Sequence, residues 1–241
     1  MHKTIFISDL HLSEKETATT ALFLDFTKHL PKGIETLYVL GDLFEYWIGD
    51  DGLANPYYKE ILNAFSSITA QNIKLFFMHG NRDFLLGETF CKACNGNLIE
   101  DPSLIDIYGK RILLMHGDTL CLEDENYLKF RKVVRDPEWQ KDFLSKPITE
   151  RVAIAQGLRE QSENAKQGKS MEIMDVTPAA VEDALVAYDY PMFIHGHTHR
   201  PAMHMYNING HECIRWVLPD WHNGHGGYLD VSPAGIQAHT L

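Results

Sequence analysis

KTIFISDLH, residues 3–11, joins a short apolar strand to polar residues that follow it directly. The β-branched and aromatic residues favour a strand over residues 3–8, and Asp9 and His11 come at its carboxyl end. Because the apolar run is unbroken, it is typical of a strand buried on both faces, as in α/β sheets. This stretch therefore predicts a sheet that carries chemically active side chains at one edge.

Four further strands end in the same way. They are predicted over residues 36–40, 74–78, 111–115 and 191–194. The polar groups that follow them are, in order, Asp42, Asn81 with Arg82, His116, and the pair His197 and His199. Open α/β sheets bind ligands at the carboxyl ends of their strands, so we expect all five sets to converge.

The rest of the pattern defines the fold class. Helices with apolar stripes are predicted over residues 19–30 and 56–70, between the first three strands. The tail reads as short strands with Gly and Asn turns, over residues 203–208, 211–218, 227–231 and 236–239. An α/β protein with one mixed sheet, or with two stacked mixed sheets flanked by helices, fits this order better than a purely parallel sheet.

The chain reads as a single domain, residues 1–241, with one insertion. Its 44% apolar content is enough for a core, and no Gly/Ser-rich or Pro-rich linker divides it. Residues 124–170 interrupt the alternation between the fourth and fifth ligand strands, with helical stripes through Phe130 and Val134 and through Val152 and Leu158. We interpret this insertion as a helical cap.

Charge separates the insertion from the remainder. The whole chain carries a net charge of −11, which argues against a nucleic-acid-binding protein. Residues 126–170 nevertheless hold ten Lys and Arg against six Asp and Glu. An anionic substrate or an anionic membrane surface would explain this excess, and a solvated helix face is the alternative.

Targeting and thiol signals point to the cytoplasm. The first residues lack the apolar segment of a secretory leader, and no apolar run approaches the ~18 residues that span a membrane. The four cysteines are expected to be reduced. Cys91 and Cys94 have CxxC spacing, but no second pair completes a zinc site, so an ordinary helix is expected there.

The strand-end residues form a metal-binding pattern. Asp-x-His and His-x-His each place two ligands on one short loop. Seven candidates are too many for one ion and suit two ions that share a carboxylate: Asp9, His11, Asp42, Asn81, His116, His197 and His199. Asp42 stands alone on its loop and is the expected bridge. Carboxylate, imidazole and amide ligands without thiolate suit Mn²⁺ or Fe²⁺, and Zn²⁺ is also compatible.

These motifs resemble those of the calcineurin-like metallophosphoesterases, in which Asp-x-His, Gly-Asp, Gly-Asn, a lone His and Gly-His-x-His follow one another. The resemblance implies an αββα sandwich and a dinuclear centre. One ion would be held by Asp9, His11, Asp42 and His199. The other would be held by Asp42, Asn81, His116 and His197.

Two departures narrow the resemblance within that family. Glu45 ends a Gly-Asp-x-x-Glu motif that commonly ends in Asp, and Arg82 replaces a common His. With the helical insertion, these variants resemble the branch that hydrolyses UDP-linked diacylated glucosamine to UMP and a lipid monophosphate in lipid A biosynthesis. That branch implies two Mn²⁺ ions and an anionic membrane surface, at the cytoplasmic face of the inner membrane, with no obligate protein partner.

Site roles follow from this resemblance. The catalytic residues would be Asp42, Asn81, Arg82, His116 and His197. The substrate contacts would be Asn81, Arg82, Asp124, Ser162, Lys166, Lys169 and His197, with Asn164 as the alternative to Lys166. If water attacks the UMP phosphorus, the leaving group is a sugar phosphate that needs no proton, which suits an arginine at position 82.

Three other functions use the same core. A soluble metallophosphatase acting on nucleotides or phosphoproteins would not need an apolar, basic cap. A non-enzymatic scaffold would be expected to have lost a ligand, and all seven are present. A DNA nuclease is disfavoured by the acidic balance of the chain.

Overall fold

The computed structural model describes residues 2–166 and 175–241. Within these residues, eleven strands form two sheets. The strands are β1 (Lys3–Ile7), β2 (Ile34–Leu40), β3 (Lys74–Met78), β4 (Asn97–Ile99), β5 (Ser103–Ile107), β6 (Lys110–Leu114), β7 (Met192–His195), β8 (Ala202–Ile208), β9 (His211–Val217), β10 (Gly227–Ser232) and β11 (Gly235–Thr240). The helices are α1 (Thr17–Lys28), α2 (Pro56–Thr69), α3 (Glu88–Ala93), α4 (Glu125–Val134), α5 (Pro137–Ser145), α6 (Ile148–Lys166) and α7 (Pro178–Ala187).

Both sheets are mixed. The first has the order β11-β10-β1-β2-β3-β4, in which β1 to β4 run parallel to one another. In this sheet β10 is antiparallel to β1, and β11 is antiparallel to β10. The second has the order β5-β6-β7-β9-β8, in which β6, β7 and β9 run parallel and the outer strands are antiparallel. The five predicted ligand strands are therefore divided, with β1, β2 and β3 in one sheet and β6 and β7 in the other.

Three apolar clusters define four layers. One lies between the two sheets and includes Phe6, Leu40 and Ile194. A second packs the first sheet against α1, α2 and α3 and is the most aromatic, and a third packs the second sheet against α7. The predicted sandwich of two mixed sheets between helices is confirmed, because each sheet buries one face on its partner and the other under helices.

Within the described residues, the predicted insertion contains α4, α5 and α6. Phe143 of α5 is buried in the aromatic cluster, and Val152 of α6 packs against it. Arg151 is almost fully buried and holds α6 down through Asp51 and the Ile48 carbonyl. No helix within the described residues is long and apolar enough to cross a bilayer.

Some elements were not predicted. β4 has only three residues, and β5 alternates exposed and half-buried positions at a sheet edge, so neither has a strong apolar run. The CxxC segment forms the end of α3, as expected. Burial raises the pKa of Cys91 to about 12, so its thiol is suited to packing rather than to redox chemistry.

Candidate metal centre

The predicted ligands meet at one edge of the sandwich, where the carboxyl ends of strands from both sheets adjoin. Asp9, His11 and His199 form a first cluster, with one ligand atom from each within 4.8 Å of the others. The His11 Nε2 and His199 Nε2 atoms are 3.3 Å apart, and His199 Nε2 is 3.6 Å from Asp9 Oδ1. Two nitrogens and a carboxylate oxygen thus point at a common centre.

A second cluster contains Asp42, His116 and His197. Asn81 joins it, because its Oδ1 atom lies 3.0 Å from His116 Nε2 and 2.9 Å from His197 Nδ1. The amide oxygen and two imidazole nitrogens again converge. All seven predicted ligands are therefore in the two clusters.

Asp42 lies between the clusters. Its Oδ2 atom is 3.7 Å from His11 Nε2 in the first cluster, and its Oδ1 atom is 3.7 Å from His116 Nε2 in the second. The two oxygens of this one carboxylate therefore face different clusters. This arrangement suits a carboxylate that is shared by two ions.

Two observations test whether these residues fit a cation. Asp9 Oδ2 accepts hydrogen bonds from Ser8 Oγ (2.5 Å) and His197 N (2.9 Å), whereas its buried Oδ1 has no hydrogen-bond partner within the described residues. His116 Nδ1 faces the Leu40 carbonyl at 2.9 Å, so this nitrogen carries a proton, and Nε2 turns toward the Asn81 oxygen. A cation would satisfy the unpaired Asp9 oxygen, and in place of a proton on His116 Nε2 it would be bound by that nitrogen and the Asn81 oxygen together, so the donor set fits a metal ion.

Carboxylate oxygens lie close to the Nδ1 atoms of two of the histidines. Glu45 Oε2 lies 3.1 Å from His11 Nδ1, and Asp220 Oδ2 lies 3.5 Å from His199 Nδ1. Outer carboxylates of this kind orient metal-binding imidazoles so that Nε2 faces the ion. Asp220 was missed by sequence reasoning, because it lies in a loop of the tail, far along the chain from His199.

The cluster side chains are in a strong electrostatic field. Burial alone would lower the pKa of His116, but the charges of Asp42, Asp9 and Asp118 outweigh it and raise the pKa to about 9. For Asp9, burial raises the pKa, yet the contacts with His199 and His116 leave it well below its usual range. The field of these carboxylates therefore favours positive charge at the centre of the clusters.

The backbone at the site is strained. Five of the seven ligands have φ angles in the left-handed region, between +47° and +69°: Asp9, His11, Asp42, His197 and His199. Such conformations cost roughly 1–3 kcal/mol each in non-glycine residues and persist where the surroundings determine them. The strain concentrates at the strand ends that carry the ligands, as is typical of functional sites.

Close packing holds the loops in this form. Gly41 has φ of +88°, and a Cβ atom there would lie 2.5 Å from His116 Nδ1. The buried Asp83 accepts hydrogen bonds from Leu43 N (2.7 Å) and Gly80 N (2.8 Å). Asp83 therefore ties the loop of Asp42 to the loop of Asn81.

Arg82 lies beside the clusters. Its Nη1 atom is 3.8 Å from Glu45 Oε1, and Arg159 Nε from α6 is 3.2 Å from the same oxygen. Glu45 therefore contacts a ligand histidine and two arginines. Its place in the Gly-Asp-x-x-Glu motif was the available signal for this role.

Helix α4 is attached to the metal-binding loops by polar contacts. The Tyr127 hydroxyl donates to Asp118 Oδ2, and so does Arg131 Nε, at 2.7 Å. Asp118 is fully buried and follows His116 by two residues. Arg135 Nη2 donates to the Gly80 carbonyl at 2.8 Å. The Tyr127 ring lies 6.3 Å from the His197 ring, so this face of α4 forms a wall of the site.

The predicted substrate contacts lie in different parts of the protein. Asn81, Arg82 and His197 lie at the clusters. Asp124 caps α4, since its Oδ1 accepts a hydrogen bond from Tyr127 N at 3.1 Å. Ser162 and Lys166 belong to α6, and Lys169 lies outside the described residues.

Known proteins are similar to this chain in fold and in sequence. Among solved structures, an archaeal phosphodiesterase is similar with a TM-score of 0.50 and 13% identity, covering 99% of each chain, which shows the fold. Among curated proteins, the UDP-2,3-diacylglucosamine hydrolase of Aromatoleum aromaticum is 48% identical over 96% of this chain and 94% of the relative. The corresponding proteins of Chromobacterium violaceum (48% identical, 98% of both chains) and Klebsiella pneumoniae (44%, 97% of both) are similar as well.

The family-level comparison covers most of the chain. The profile of the calcineurin-like phosphoesterases matches residues 2–201, which include all seven candidate ligands. It ends before β8, so Asp220 lies beyond it. The resemblance inferred from the motifs is confirmed, and the chain belongs to the calcineurin-like phosphoesterase family.

Proposed function

We propose that this protein hydrolyses the diphosphate bond of UDP-2,3-diacylglucosamine, giving UMP and 2,3-diacylglucosamine 1-phosphate for lipid A biosynthesis. The observation that carries the proposal is the complete pair of ligand clusters in a chain that matches UDP-2,3-diacylglucosamine hydrolases along nearly its full length. The protein is a metal-dependent hydrolase of the phosphoric anhydride class, because its family and its donor set agree.

The two clusters support the proposed ligand assignment. The first ion would be held by Asp9, His11, Asp42 and His199, and the second by Asp42, Asn81, His116 and His197. Two divalent ions, for which we propose Mn²⁺, would lower the pKa of water and neutralise charge on the phosphoryl oxygens when bound. Oxygen and nitrogen ligands without thiolate support this choice.

Arg82 and Asn81 are proposed to contact the diphosphate. Water attacks the phosphorus of the UMP moiety, the bond to the bridging oxygen breaks, and that oxygen leaves with its electron pair on the sugar 1-phosphate. The second pKa of a phosphate is about 6, so this group departs without a proton from the enzyme. The Arg82 guanidinium binds phosphoryl oxygens through its planar donor fork, and it is not required to act as an acid. His116 and His197 complete the proposed catalytic set with Asp42.

The cap is proposed to hold the lipid part of the substrate. Phe130 is half-buried on α4, and exposed apolar side chains on α5 and α6 include Leu144 and Ile148. Asp124, Ser162, Lys166 and Lys169 are proposed contacts to the sugar and its phosphate. The basic excess of residues 126–170 supports peripheral binding to the anionic cytoplasmic face of the inner membrane.

Hydrolysis in ¹⁸O-labelled water tests the direction of attack. We expect the label in UMP, because the oxygen of water bonds to the UMP phosphorus. Label in the lipid monophosphate would contradict the assignment. The hydrolysis rate of bis-p-nitrophenyl phosphate, compared with that of the UDP-linked lipid, tests the alternative of a soluble, broad-range metallophosphatase. Such an enzyme should hydrolyse this ester as readily as the UDP-linked lipid.

A further inference from the structure

We propose that Arg215 and His195 are positioning residues that hold the His197 loop in its metal-binding form. The proposal rests on the metal centre described above and extends it to a strand beyond the segment matched by the family profile. Arg215 lies in β9 between the apolar residues Ile214 and Trp216, and is only 5% exposed. His195 is the last residue of β7 and is fully buried.

The register of the sheet brings these two residues together. In the parallel pairing of β7 and β9, Phe193 is opposite Arg215 and His195 is opposite Val217. Phe193 and His195 are two residues apart in a strand, so their side chains lie on the same face as Arg215. The Arg215 Nη1 and His195 Nε2 atoms are 2.8 Å apart.

The hydrogen bonds determine the tautomer of His195. A guanidinium can only donate, so His195 Nε2 must accept the bond from Arg215 and carries no proton. The ring is then neutral with its proton on Nδ1. That nitrogen lies 2.8 Å from the Gly196 carbonyl, which can only accept, so Nδ1 donates to it. The chain of donors runs in one direction, from Arg215 through His195 to Gly196.

The Gly196 backbone is where this chain reaches the metal ligands. The Gly196 N–H donates to the His116 carbonyl at 2.9 Å, and the next N–H, that of His197, donates to Asp9 Oδ2 at 2.9 Å. A Cβ atom on Gly196 would lie 2.2 Å from Asp9 Oδ2, so the loop is pressed against that carboxylate. The orientation of this one backbone segment therefore affects three proposed ligands.

The contacts of Arg215 indicate that it acts as a donor and not as half of an ion pair. Within the described residues its hydrogen-bond partners are the Tyr206 hydroxyl, 2.9 Å from Nε, and His195. The guanidinium also lines a cavity of about 230 Å³. A buried cation that forms no ion pair within the described residues is costly, and holding His195 in the tautomer that donates to Gly196 gives this arginine a role there.

Mn²⁺ binding to the metal-free full-length chain, measured by isothermal titration calorimetry, tests the proposal. Arg215→Met removes the donors but keeps an apolar side chain of similar length. We expect at least one of the two binding events to weaken by about 10–100-fold, as for other outer partners of metal ligands. Arg111→Met is the matched control, because Arg111 lies on β6 of the same sheet but is exposed and pairs with Asp189. Equal affinities for the two variants would overturn the proposal.

Two substitutions at His195 separate the donor role from packing. His195→Asn places an amide N–H where Nδ1 is, so it can still donate to Gly196, and it should keep Mn²⁺ affinity even when combined with Arg215→Met. His195→Gln places its amide where Nε2 is and should lose affinity like Arg215→Met. A purely structural role would lower the melting temperature of all these variants without this pattern in affinity.

The tautomer itself can be measured in the wild-type chain. Long-range ¹H–¹⁵N NMR correlations on histidine-labelled protein, loaded with diamagnetic Zn²⁺, should show the His195 proton on Nδ1, with the His195→Asn spectrum giving the assignment. A proton on Nε2 would refute the donor chain whether or not Arg215→Met folds. Absence of Mn²⁺ binding to the wild type would instead refute the metal centre, and the NMR result would still decide the hydrogen-bond chain.

Discussion

The ligand loops and the cap helices differ in how firmly the fold holds them. Asp9 and His116 in the loops are fully buried, and the loop backbone is kept in strained conformations by dense packing. In the cap, Leu144 is 41% exposed and Ile148 is 39% exposed. The proposed chemistry therefore lies where close packing fixes the side chains, whereas the proposed lipid contacts lie on helices that expose apolar side chains.

Removing the shared ligand should give the largest effect. We expect Asp42→Ala to lower kcat at least 100- to 1000-fold, because it removes the carboxylate that faces both clusters and leaves charge in the transition state unbalanced. Steady-state hydrolysis of UDP-2,3-diacylglucosamine with Mn²⁺ measures it. Asp189→Ala, at an exposed carboxylate, is the control and should retain activity. An active Asp42→Ala variant would contradict the proposed centre.

Breaking the contact between α4 of the cap and Asp118 in the His116 loop should have the next largest effect. Arg131→Met removes one of the two donors to buried Asp118, and we expect a loss of roughly 1–3 kcal/mol in the free energy of unfolding. KM for the lipid substrate should rise more than kcat falls, since the cap shifts while the ligands stay in place. Thermal melting and steady-state kinetics check this against Arg111→Met. A fall in kcat alone would show that Asp118 serves the chemistry directly.

A charge on the apolar side of α4 should have a moderate and selective effect. Phe130→Asp should raise KM for the long-chain substrate about tenfold, as expected when a side chain of about 2 kcal/mol of transfer energy is lost from a lipid contact. KM for a soluble analogue with short acyl chains should change little. Val133→Asp on the same helix is the control, because Val133 is already exposed. Equal changes with both substrates would refute the acyl groove.

Neutralising exposed lysines of the cap should have the smallest effect. Lys129→Gln, Lys132→Gln and Lys141→Gln should each weaken binding to vesicles containing phosphatidylglycerol, by about 1 kcal/mol per charge at low salt. Co-sedimentation measures this. Lys92→Gln, at an exposed lysine on α3 outside the cap, should leave vesicle binding unchanged. If all four variants bind alike, the basic excess of the cap does not recruit membranes.

The convergence of the candidate ligands could be predicted from the sequence because its signals are local. Each ligand follows an apolar strand directly, and strand ends are recognisable from composition and from neighbouring glycines. Which strands belong to which of the two sheets was not predictable, because β1 and β6 have the same apolar pattern and only long-range pairing separates them. Edge strands such as β5 were missed for a related reason. They are stabilised by pairing with a neighbouring strand, and their own sequences lack the apolar run that predicts a strand.

The sequence by itself determined which side chains are available for chemistry: seven oxygen and nitrogen ligands at strand ends, an arginine at position 82 and a basic insertion. Only the tertiary structure decided how they are used. It turned the two oxygens of Asp42 toward different clusters, placed Glu45 and Asp220 next to two imidazoles, and brought Arg215 to His195. The physical reason is that the sequence at each strand end identifies a candidate ligand, whereas the orientation of that side chain depends on hydrogen bonds to residues that are remote in the chain. Those residues meet only when the two sheets pack.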